Sequence, residues 1–250
     1  MKSYDGTRLH GWFFPAQEPR DEKDHAGSLF KDVKQPIKGT VVQFHGNGQN
    51  MTTHFMSYIW MIYEGYNLLC FDYRGYGLSD GKPDQPGVYL DSLAAMTWPI
   101  ENKKELPLIL VGQSLGGAIL MRSFPDFKSR PLVKAVVIES SFYSYQALGS
   151  DILSRFFLTW PFQWLGHAWI SDQFSPEDFI PQISPTPLLV IHGDQDPVIP
   201  LRFGEEIFRR AKEPKTFWKV EGGSHINEMV NSKLSRIYQP KLLNFLDQLK

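Results

Sequence analysis

Cysteine is nearly absent from this chain, which has one in 250 residues. A single cysteine can form no intramolecular disulfide, and Cys70 lies inside an apolar run, so we expect a buried and unreactive thiol. No stretch reaches the ~18 uninterrupted apolar residues that a membrane-spanning helix needs. Neither sign of charge is in excess, with 26 Lys and Arg against 27 Asp and Glu. This balance gives no sign of a nucleic-acid partner, whose phosphates bind basic surfaces.

Apolar residues are plentiful: 42% of the chain is hydrophobic and 14% is aromatic, enough for a large folded core. Short apolar runs of strand length alternate with longer segments of helical pattern. This alternation predicts a mostly parallel sheet with helices on both faces. The predicted strands are residues 9–14, 40–44, 67–71, 108–111, 135–138, 188–191 and 216–220, and the predicted helices are about 51–64, 87–102, 116–128, 201–212 and 232–249. Pro99 lies inside the second helix and is expected to end or kink it.

Two segments interrupt the alternation. Residues 16–38 are rich in charge, proline and glycine, which predicts a long surface loop. Residues 142–179 hold 11 aromatic residues, about twice what the chain average predicts, and we interpret them as a helical cap inserted into a single domain of residues 1–250. The strand that should precede the turn at Asp5 is nearly missing. We therefore expect that strand, and any targeting segment, to lie upstream in a longer protein. We expect a cytoplasmic compartment if the chain is complete, with export or membrane anchoring as the alternatives if an N-terminal segment has been removed.

The pattern Gly-x-Ser-x-Gly occurs twice, and its context separates the two copies. Ser114, in residues 112–116, directly follows a predicted strand and directly precedes a helical pattern, as in a nucleophile elbow. The flanking glycines are needed because so sharp a turn leaves no room for β-carbons beside the serine. The other copy, with Ser79, runs into Lys-Pro-Asp-Gln-Pro, which cannot be a helix. We predict Ser114 as the nucleophile, the alternative being a serine in an ordinary glycine-rich turn, and a loop at Ser79.

A serine hydroxyl needs a general base that a third group orients. In hydrolases with this elbow the chain order is serine, acid, histidine, and three histidines follow Ser114. His225 lies in a flexible loop beyond the last predicted strand and can reach the serine, so we predict it as the base. His192 ends its own strand and is better explained by a backbone hydrogen bond. His167, in the cap, is a substrate-contact candidate but is expected to be packed or exposed.

The acid is predicted to be Asp196. It lies in the loop after the strand at 188–191, where ligands of open α/β sheets gather, and the rigid run Pro-Val-Ile-Pro follows it. Asp194 in the same loop and Glu139 at the end of the strand at 135–138 are the alternatives.

The negative oxygen of a tetrahedral intermediate is stabilised by backbone N–H groups that already point toward it. We predict the N–H of Leu115, the residue after the nucleophile, and that of Asn47 in the loop His45-Gly-Asn-Gly48, the alternative for this loop being an ordinary turn. Neither glycine-rich loop has the pattern of a phosphate-binding or dinucleotide-binding loop. No spaced set of His, Cys or acidic residues indicates a metal, and we expect no cofactor.

The motifs together resemble the α/β-hydrolase superfamily over nearly the whole chain. They occur in family order at residues 5–12, 45–48, 72–79, 112–117, 192–196 and 223–225. The chain looks most like the small-cap serine hydrolases that include bacterial esterases and eukaryotic deacylases. The resemblance implies the α/β-hydrolase fold and a triad at Ser114, Asp196 and His225, and it makes the second Gly-x-Ser-x-Gly a structural loop. The short first strand and the aromatic cap depart from the family pattern.

The expected function is hydrolysis of carboxylic esters through an acyl-enzyme, without a cofactor. Because the base must be neutral, activity is expected to rise between about pH 6 and 7.5. The cap aromatics suggest an apolar acyl or aryl substrate, to be tested at Trp160 and Trp164, or else they only pack the cap onto the sheet. A peptidase, with Glu177 or Asp178 binding the substrate amine, a thioesterase and a non-catalytic binding protein remain alternatives. Contact with a membrane and the oligomeric state are not determined by the sequence.

Overall fold

The structure is a computed structural model, and it describes residues 1–17, 36–48, 50–103, 106–155, 159, 162, 164–165 and 169–249. Most of the loop predicted at residues 16–38 lies outside the described residues, as do Trp160 and His167. No helix in the described ranges is long and apolar enough to cross a membrane.

The described residues form a seven-stranded sheet in the order β1-β3-β2-β4-β5-β6-β7, in which β1 pairs antiparallel with β3 and all other pairs are parallel. This confirms the mostly parallel sheet. The strands are β1 (Gly11–Phe14), β2 (Gly39–Phe44), β3 (Tyr66–Phe71), β4 (Leu108–Gln113), β5 (Val133–Glu139), β6 (Leu188–Gly193) and β7 (Lys215–Val220). Before β1, Lys2 and Arg8 form a single antiparallel bridge.

The interior strands are buried on both faces, which explains their continuous apolar runs. Every residue of β2, β3, β4 and β6 is buried. Alternate side chains then enter two separate cores, as Leu110 and Ile109 on β4 show. The helices that cover the faces are α1 (Met51–His54), α2 (Gln85–Asn102), α3 (Leu115–Ser123), α4 (Tyr145–Ser154), α5 (Leu201–Arg210) and α6 (Ser235–Gln248). Residues of α2, α3 and α5 pack in one core, and residues of α1 and α6 in the other, so helices on both faces are confirmed.

The single helix predicted at residues 51–64 is wrong. The segment has one α-helical turn, α1, followed by two 3₁₀ segments, Phe55–Ser57 and Ile59–Glu64. Tyr58 between them leaves helical geometry, and its hydroxyl donates to the buried carboxylate of Glu139 at 3.0 Å. This tertiary contact overrides the local helical pattern.

Pro99 does not end its helix. It is buried within α2, which continues to Asn102, and the N–H of Lys103 donates to the Pro99 carbonyl.

The segment between β5 and β6 contains α4 and a 3₁₀ turn at Ile180–Gln182. Ser144 begins α4 by accepting a hydrogen bond from the N–H of Ala147. Since residues 156–158, 160–161, 163 and 166–168 lie outside the described residues, the cap at 142–179 stays a prediction.

Candidate active site

The predicted catalytic side chains follow the carboxyl ends of neighbouring strands. Ser114 follows β4, Asp196 follows β6 and His225 follows β7. Because β4 to β7 run parallel, these ends lie along one edge of the sheet, where ligands of open α/β sheets bind.

The turn at Ser114 is strained and tightly packed. Ser114 has φ +53°, which L-residues rarely adopt, and α3 begins directly after it. A β-carbon on Gly112 would lie 2.6 Å from the α-carbon of Gly117, and one on Gly116 would overlap the Phe44 carbonyl oxygen. The motif therefore has glycines where backbone from neighbouring elements leaves no space for a side chain.

Three side chains form a continuous hydrogen-bonded chain at this edge. The Ser114 hydroxyl lies 3.1 Å from Nε2 of His225. On the other side of the ring, Nδ1 of His225 lies 2.7 Å from Oδ2 of Asp196. Because a carboxylate only accepts, Nδ1–H donates to Asp196, and Nε2 is left as the acceptor for the serine proton. Such a geometry can activate a hydroxyl for nucleophilic attack.

Asp196 is held by its own loop. Its Oδ1 accepts from the N–H groups of Val198 and Ile199 at 2.8 and 2.9 Å. Burial opposes ionisation of Asp196, but the hydrogen bond and charge of His225, together with these two amides, lower its pKa on balance. The carboxylate is therefore charged at neutral pH.

The ring of His192 makes a hydrogen bond to the backbone of the same loop, as predicted. Its Nε2 lies 2.8 Å from the carbonyl oxygen of Ile199, and the ring is fully buried. Burial lowers the pKa of His192, so the imidazole is neutral and donates to that carbonyl.

The two alternative acids have other partners. Asp194 accepts from the N–H of Gly222 at 2.8 Å and lies 3.6 Å from the Lys219 ammonium. Glu139 accepts from the Tyr58 hydroxyl and, at 2.8 Å, from the side chain of Gln113. His225 pairs with Asp196 and with neither of them.

Backbone strain is concentrated around the site. The described non-glycine residues with positive φ are Ser114, Ser140 and Ile226. Ser140 follows Glu139, whose carbonyl accepts from the N–H of Ser114. Ile226 follows His225, and its N–H donates to the Ser140 hydroxyl at 3.4 Å. Strained residues of this kind persist where surrounding contacts determine them, and here they lie at or beside Ser114 and His225.

The two predicted oxyanion donors lie beside Ser114. Leu115 is the first residue of α3, so its N–H has no carbonyl partner within the helix. The loop of Asn47 packs against the elbow, since a β-carbon on Gly46 would lie 3.2 Å from Cβ of Ser114. The Asn47 side chain accepts a 2.5 Å hydrogen bond from the hydroxyl of Tyr76, in the loop after β3.

A cleft of about 700 Å³ opens over the serine. It is lined by Gly46, Asn47, Gly48, Thr53, His54, Met56, Ser57, Ser114, Val198, His225, Ile226 and Val230. A smaller chamber of about 170 Å³ lies beyond Leu115 and is lined by Tyr73, Tyr76, Pro83, Asp84, Gln85, Val88, Leu115, Ile119 and Tyr145.

Sequence reasoning missed His54 and Tyr76. It considered only histidines after Ser114, whereas His54 at the end of α1 also lines the cleft. Burial lowers the pKa of His54, so this second imidazole is neutral. His54 follows β2 and Tyr76 follows β3, and because these two strands pair in parallel, the segments after them meet at one edge of the sheet. That pairing leaves no local signal in the sequence.

Buried carboxyl groups lie behind the histidine loop. Glu228 and Glu139 are both fully buried. Burial, and then the negative charge of Glu139, raise the pKa of Glu228 well above its usual range. One proton therefore stays on this pair of carboxyl groups at neutral pH.

The other sequence candidates are not among the described residues that line the cleft. The hydroxyl of Ser79 donates to the Asp72 carbonyl at 2.7 Å, and the second Gly-x-Ser-x-Gly is a loop, as predicted. Trp164 is 59% exposed and lines neither the cleft nor the chamber. Glu177 lies 3.6 Å from Arg210, and the Asp178 carbonyl accepts from Gln182. In the part of the chain that the structure describes, no group of three His, Cys, Asp or Glu side chains could hold a metal ion.

The protein is an α/β hydrolase by its architecture. It has a mostly parallel sheet covered by helices on both faces, and its candidate site lies at the carboxyl ends of the strands. The chain belongs to the Hydrolase_4 family, described as serine aminopeptidase, S33, whose model matches residues 35–182.

The chain is similar to curated and solved members of this fold. The uncharacterized protein YfhR of Escherichia coli O157:H7 is 32% identical over 246 residues, which cover 97% of this chain and 77% of YfhR. Lysophosphatidylserine lipase ABHD12 of Xenopus tropicalis is 26% identical over 219 residues, or 83% of this chain and 56% of that protein. Among solved structures, the esterase Pf2001 of Pyrococcus furiosus superposes with a TM-score of 0.71 at 18% identity, covering 99% of this chain and 88% of Pf2001.

Proposed function

We propose that this protein is a serine hydrolase that cleaves carboxylic esters through an acyl-enzyme. The observation that carries the proposal is the hydrogen-bonded chain from Asp196 through His225 to Ser114, at a strained turn beside an open cleft. The serine has an acceptor for its proton, and the acceptor has a charged partner for the cation that results.

In the acylation half, the Ser114 oxygen attacks the ester carbonyl carbon and its proton passes to Nε2 of His225. The carbonyl electrons move onto oxygen, where the N–H groups of Leu115 and Asn47 stabilise the negative charge. His225 then gives its proton to the departing alcohol oxygen as the bond to that oxygen breaks. Asp196 stays ionised throughout and stabilises the imidazolium.

In the deacylation half, water takes the place of the alcohol. His225 accepts a proton from the water as its oxygen attacks the acyl carbon, and it returns that proton to Ser114 as the acid leaves. One ester and one water yield one alcohol and one acid, and the enzyme is regenerated.

Relatives support ester chemistry, and the family description favours the peptidase alternative. ABHD12 is a lysophosphatidylserine lipase and Pf2001 an esterase. An aminopeptidase would need a carboxylate that binds the substrate amine, whereas Glu177 faces Arg210 and neither Glu177 nor Asp178 lines the cleft. We therefore place the ester first and keep peptides and thioesters as outcomes of the test.

The test is hydrolysis of nitrophenyl esters from acetate to palmitate by the wild type and by Ser114→Ala. Ser79→Ala is the matched control, because Ser79 occupies the same motif in a loop. We expect turnover by the wild type and by Ser79→Ala, and a loss of about 10⁵-fold or more in kcat for Ser114→Ala.

Folding of each variant is checked by circular dichroism. If the folded wild type hydrolyses no ester but cleaves an aminoacyl anilide, the peptidase alternative replaces this proposal. If the wild type prefers an acyl thioester over the matched ester, the thioesterase alternative replaces this proposal.

A further inference from the structure

Two cavities of different chemistry border the nucleophile elbow. The hydroxyl of Ser114 faces the cleft, whereas the side chain of the next residue, Leu115, lines the chamber. On the opposite wall, Asn47 lines the cleft and its hydrogen-bond partner Tyr76 lines the chamber. A carbonyl carbon attacked by Ser114 therefore has both the cleft and the chamber near it, one lined by Ser114 and the other by Leu115.

The base determines which part of an ester enters which cavity. His225 must give a proton to the leaving oxygen, so the alcohol part has to lie on the side of His225. His225 and the following residue, Ile226, line the cleft and not the chamber. With the alcohol part in the cleft, the cavity left for the acyl group is the chamber that Leu115 lines.

The chamber is small and mainly apolar. Its volume is about 170 Å³, and seven of its nine lining residues are apolar or aromatic. Ile119 and Tyr73 at its wall are nearly or fully buried and belong to the main core, so the wall cannot recede easily. A space of this volume matches an aryl or short acyl group more closely than a long acyl chain.

The cleft is about four times larger and contains neutral polar groups. Thr53, His54 and Ser57 line it, and burial keeps His54 uncharged. None of the described residues that line it is Lys or Arg. The described lining residues can therefore hydrogen-bond a hydroxylated alcohol, and they include no lysine or arginine to pair with a phosphate.

We propose that the substrate is an ester of a compact acid, aryl or short-chain, with a larger, neutral and hydroxylated alcohol. The acid occupies the chamber behind Leu115 and the alcohol occupies the cleft beside His225. This inference rests on the proposed ester hydrolysis. The substrate it describes differs from a long-chain phospholipid in both its acid and its alcohol.

The test compares kcat/KM for four defined esters below their aggregation concentrations: 1-butyrylglycerol, methyl butyrate, 1-butyrylglycerol 3-phosphate and 1-palmitoylglycerol. We expect 1-butyrylglycerol to exceed each of the other three by about tenfold or more, since complementary pockets discriminate by such factors. A preference for the palmitoyl ester or for the phosphate ester would overturn the inference. Absence of Ser114-dependent turnover on every ester would instead refute the proposed function.

Two matched valine-to-alanine variants test which part of the ester occupies which cavity. Val88→Ala enlarges the chamber from α2, and Val230→Ala enlarges the cleft near the histidine loop. We expect Val88→Ala to move the optimum of acyl length upward and leave the glyceryl-to-methyl ratio unchanged, and Val230→Ala to change only that ratio. The opposite pattern, or an acyl optimum that neither variant moves, would show that the acyl group does not occupy the chamber.

Discussion

Two aspartates separated by one residue have different environments in the loop after β6. Asp196 is buried and accepts from the histidine and from two amides of its own loop, whereas Asp194 caps the turn at Gly222. The sequence favoured Asp196 over Asp194 as the acid because the rigid run Pro-Val-Ile-Pro follows Asp196. The structure adds the reason: the loop N–H groups orient its carboxylate toward His225.

Asp196→Asn is expected to lower kcat by about 10³- to 10⁴-fold, with the protein still folded. The amide NH₂ donates where Nδ1–H needs an acceptor, so His225 is pushed toward the tautomer that cannot accept the serine proton. Asp194→Asn is the control and should stay within about twofold of the wild type. Steady-state kinetics on a butyrate ester measure both, and equal losses in the two variants would contradict this assignment.

Tyr76→Phe is expected to lower kcat about fivefold with little change in KM. Its hydroxyl donates to the Asn47 side chain, and loss of one such hydrogen bond, worth ~1 kcal/mol, loosens the loop that presents the Asn47 N–H. Tyr89→Phe removes a comparable hydroxyl that bonds Asp126 at the surface and should have no effect. A change confined to KM would assign Tyr76 to binding and not to oxyanion positioning.

The strands were predicted more accurately than the segment that follows β2. Buried parallel strands read as continuous apolar runs because both of their faces are covered, so β4 and β6 differ from prediction only by their last two residues. The segment after β2 follows a helical pattern, yet Tyr58 turns toward Glu139, 81 residues further along the chain. A contact over that distance leaves no local signal. Tyr76 was missed for the same reason, since its partner Asn47 lies 29 residues away.

The tight contact between α3 and β2 predicts that Gly116→Ala is strongly destabilising. Its β-carbon would overlap the Phe44 and His45 carbonyl groups, and backbone at the end of a buried strand cannot move aside. We expect the melting temperature to fall by about 5 °C or more, or expression to fail. Gly48→Ala, whose β-carbon would meet nothing within 4 Å, should leave the melting temperature unchanged. Thermal unfolding of the two variants in parallel is the measurement, and equal melting temperatures would refute the argument.

The loop after β7 is expected to lose stability as pH rises. Folding raises the pKa of Glu228, so the folded state binds more protons than the unfolded state above the ordinary glutamate range. Stability then falls with increasing pH until the folded pKa is passed. Glu228→Gln carries no titrating proton, so its melting temperature should fall less between about pH 6 and 9 than that of the wild type. Glu221→Gln, at an exposed position of the same loop, should follow the wild type. If the melting temperatures of all three proteins fell equally with rising pH, the raised pKa of Glu228 would be contradicted.

On the scale of the whole molecule, one arginine joins segments that are distant in sequence. Arg74, after β3, donates to Asp91 on α2 at 2.8 Å, to Asp5 at 2.8 Å and to Ser3 at 3.2 Å. Asp91 is fully buried and also accepts from the Arg74 backbone N–H. This cluster connects the first residues of the chain to the sheet and to the helix that crosses it.

Arg74→Met should therefore lower the free energy of unfolding by about 3 kcal/mol, because it leaves the Asp91 carboxylate buried without a counter-ion. Urea unfolding measures the change. Arg8→Met is the matched control, since the ion pair of Arg8 with Asp80 also joins the first residues to the loop after β3 but is exposed and contributes little. The double variant Arg74→Met with Asp91→Asn tests the cause, because it removes the stranded charge and keeps an acceptor for the Arg74 backbone N–H. It should be more stable than Arg74→Met alone. If it is not, the cost lies in lost packing of the arginine side chain and not in an unpaired buried charge.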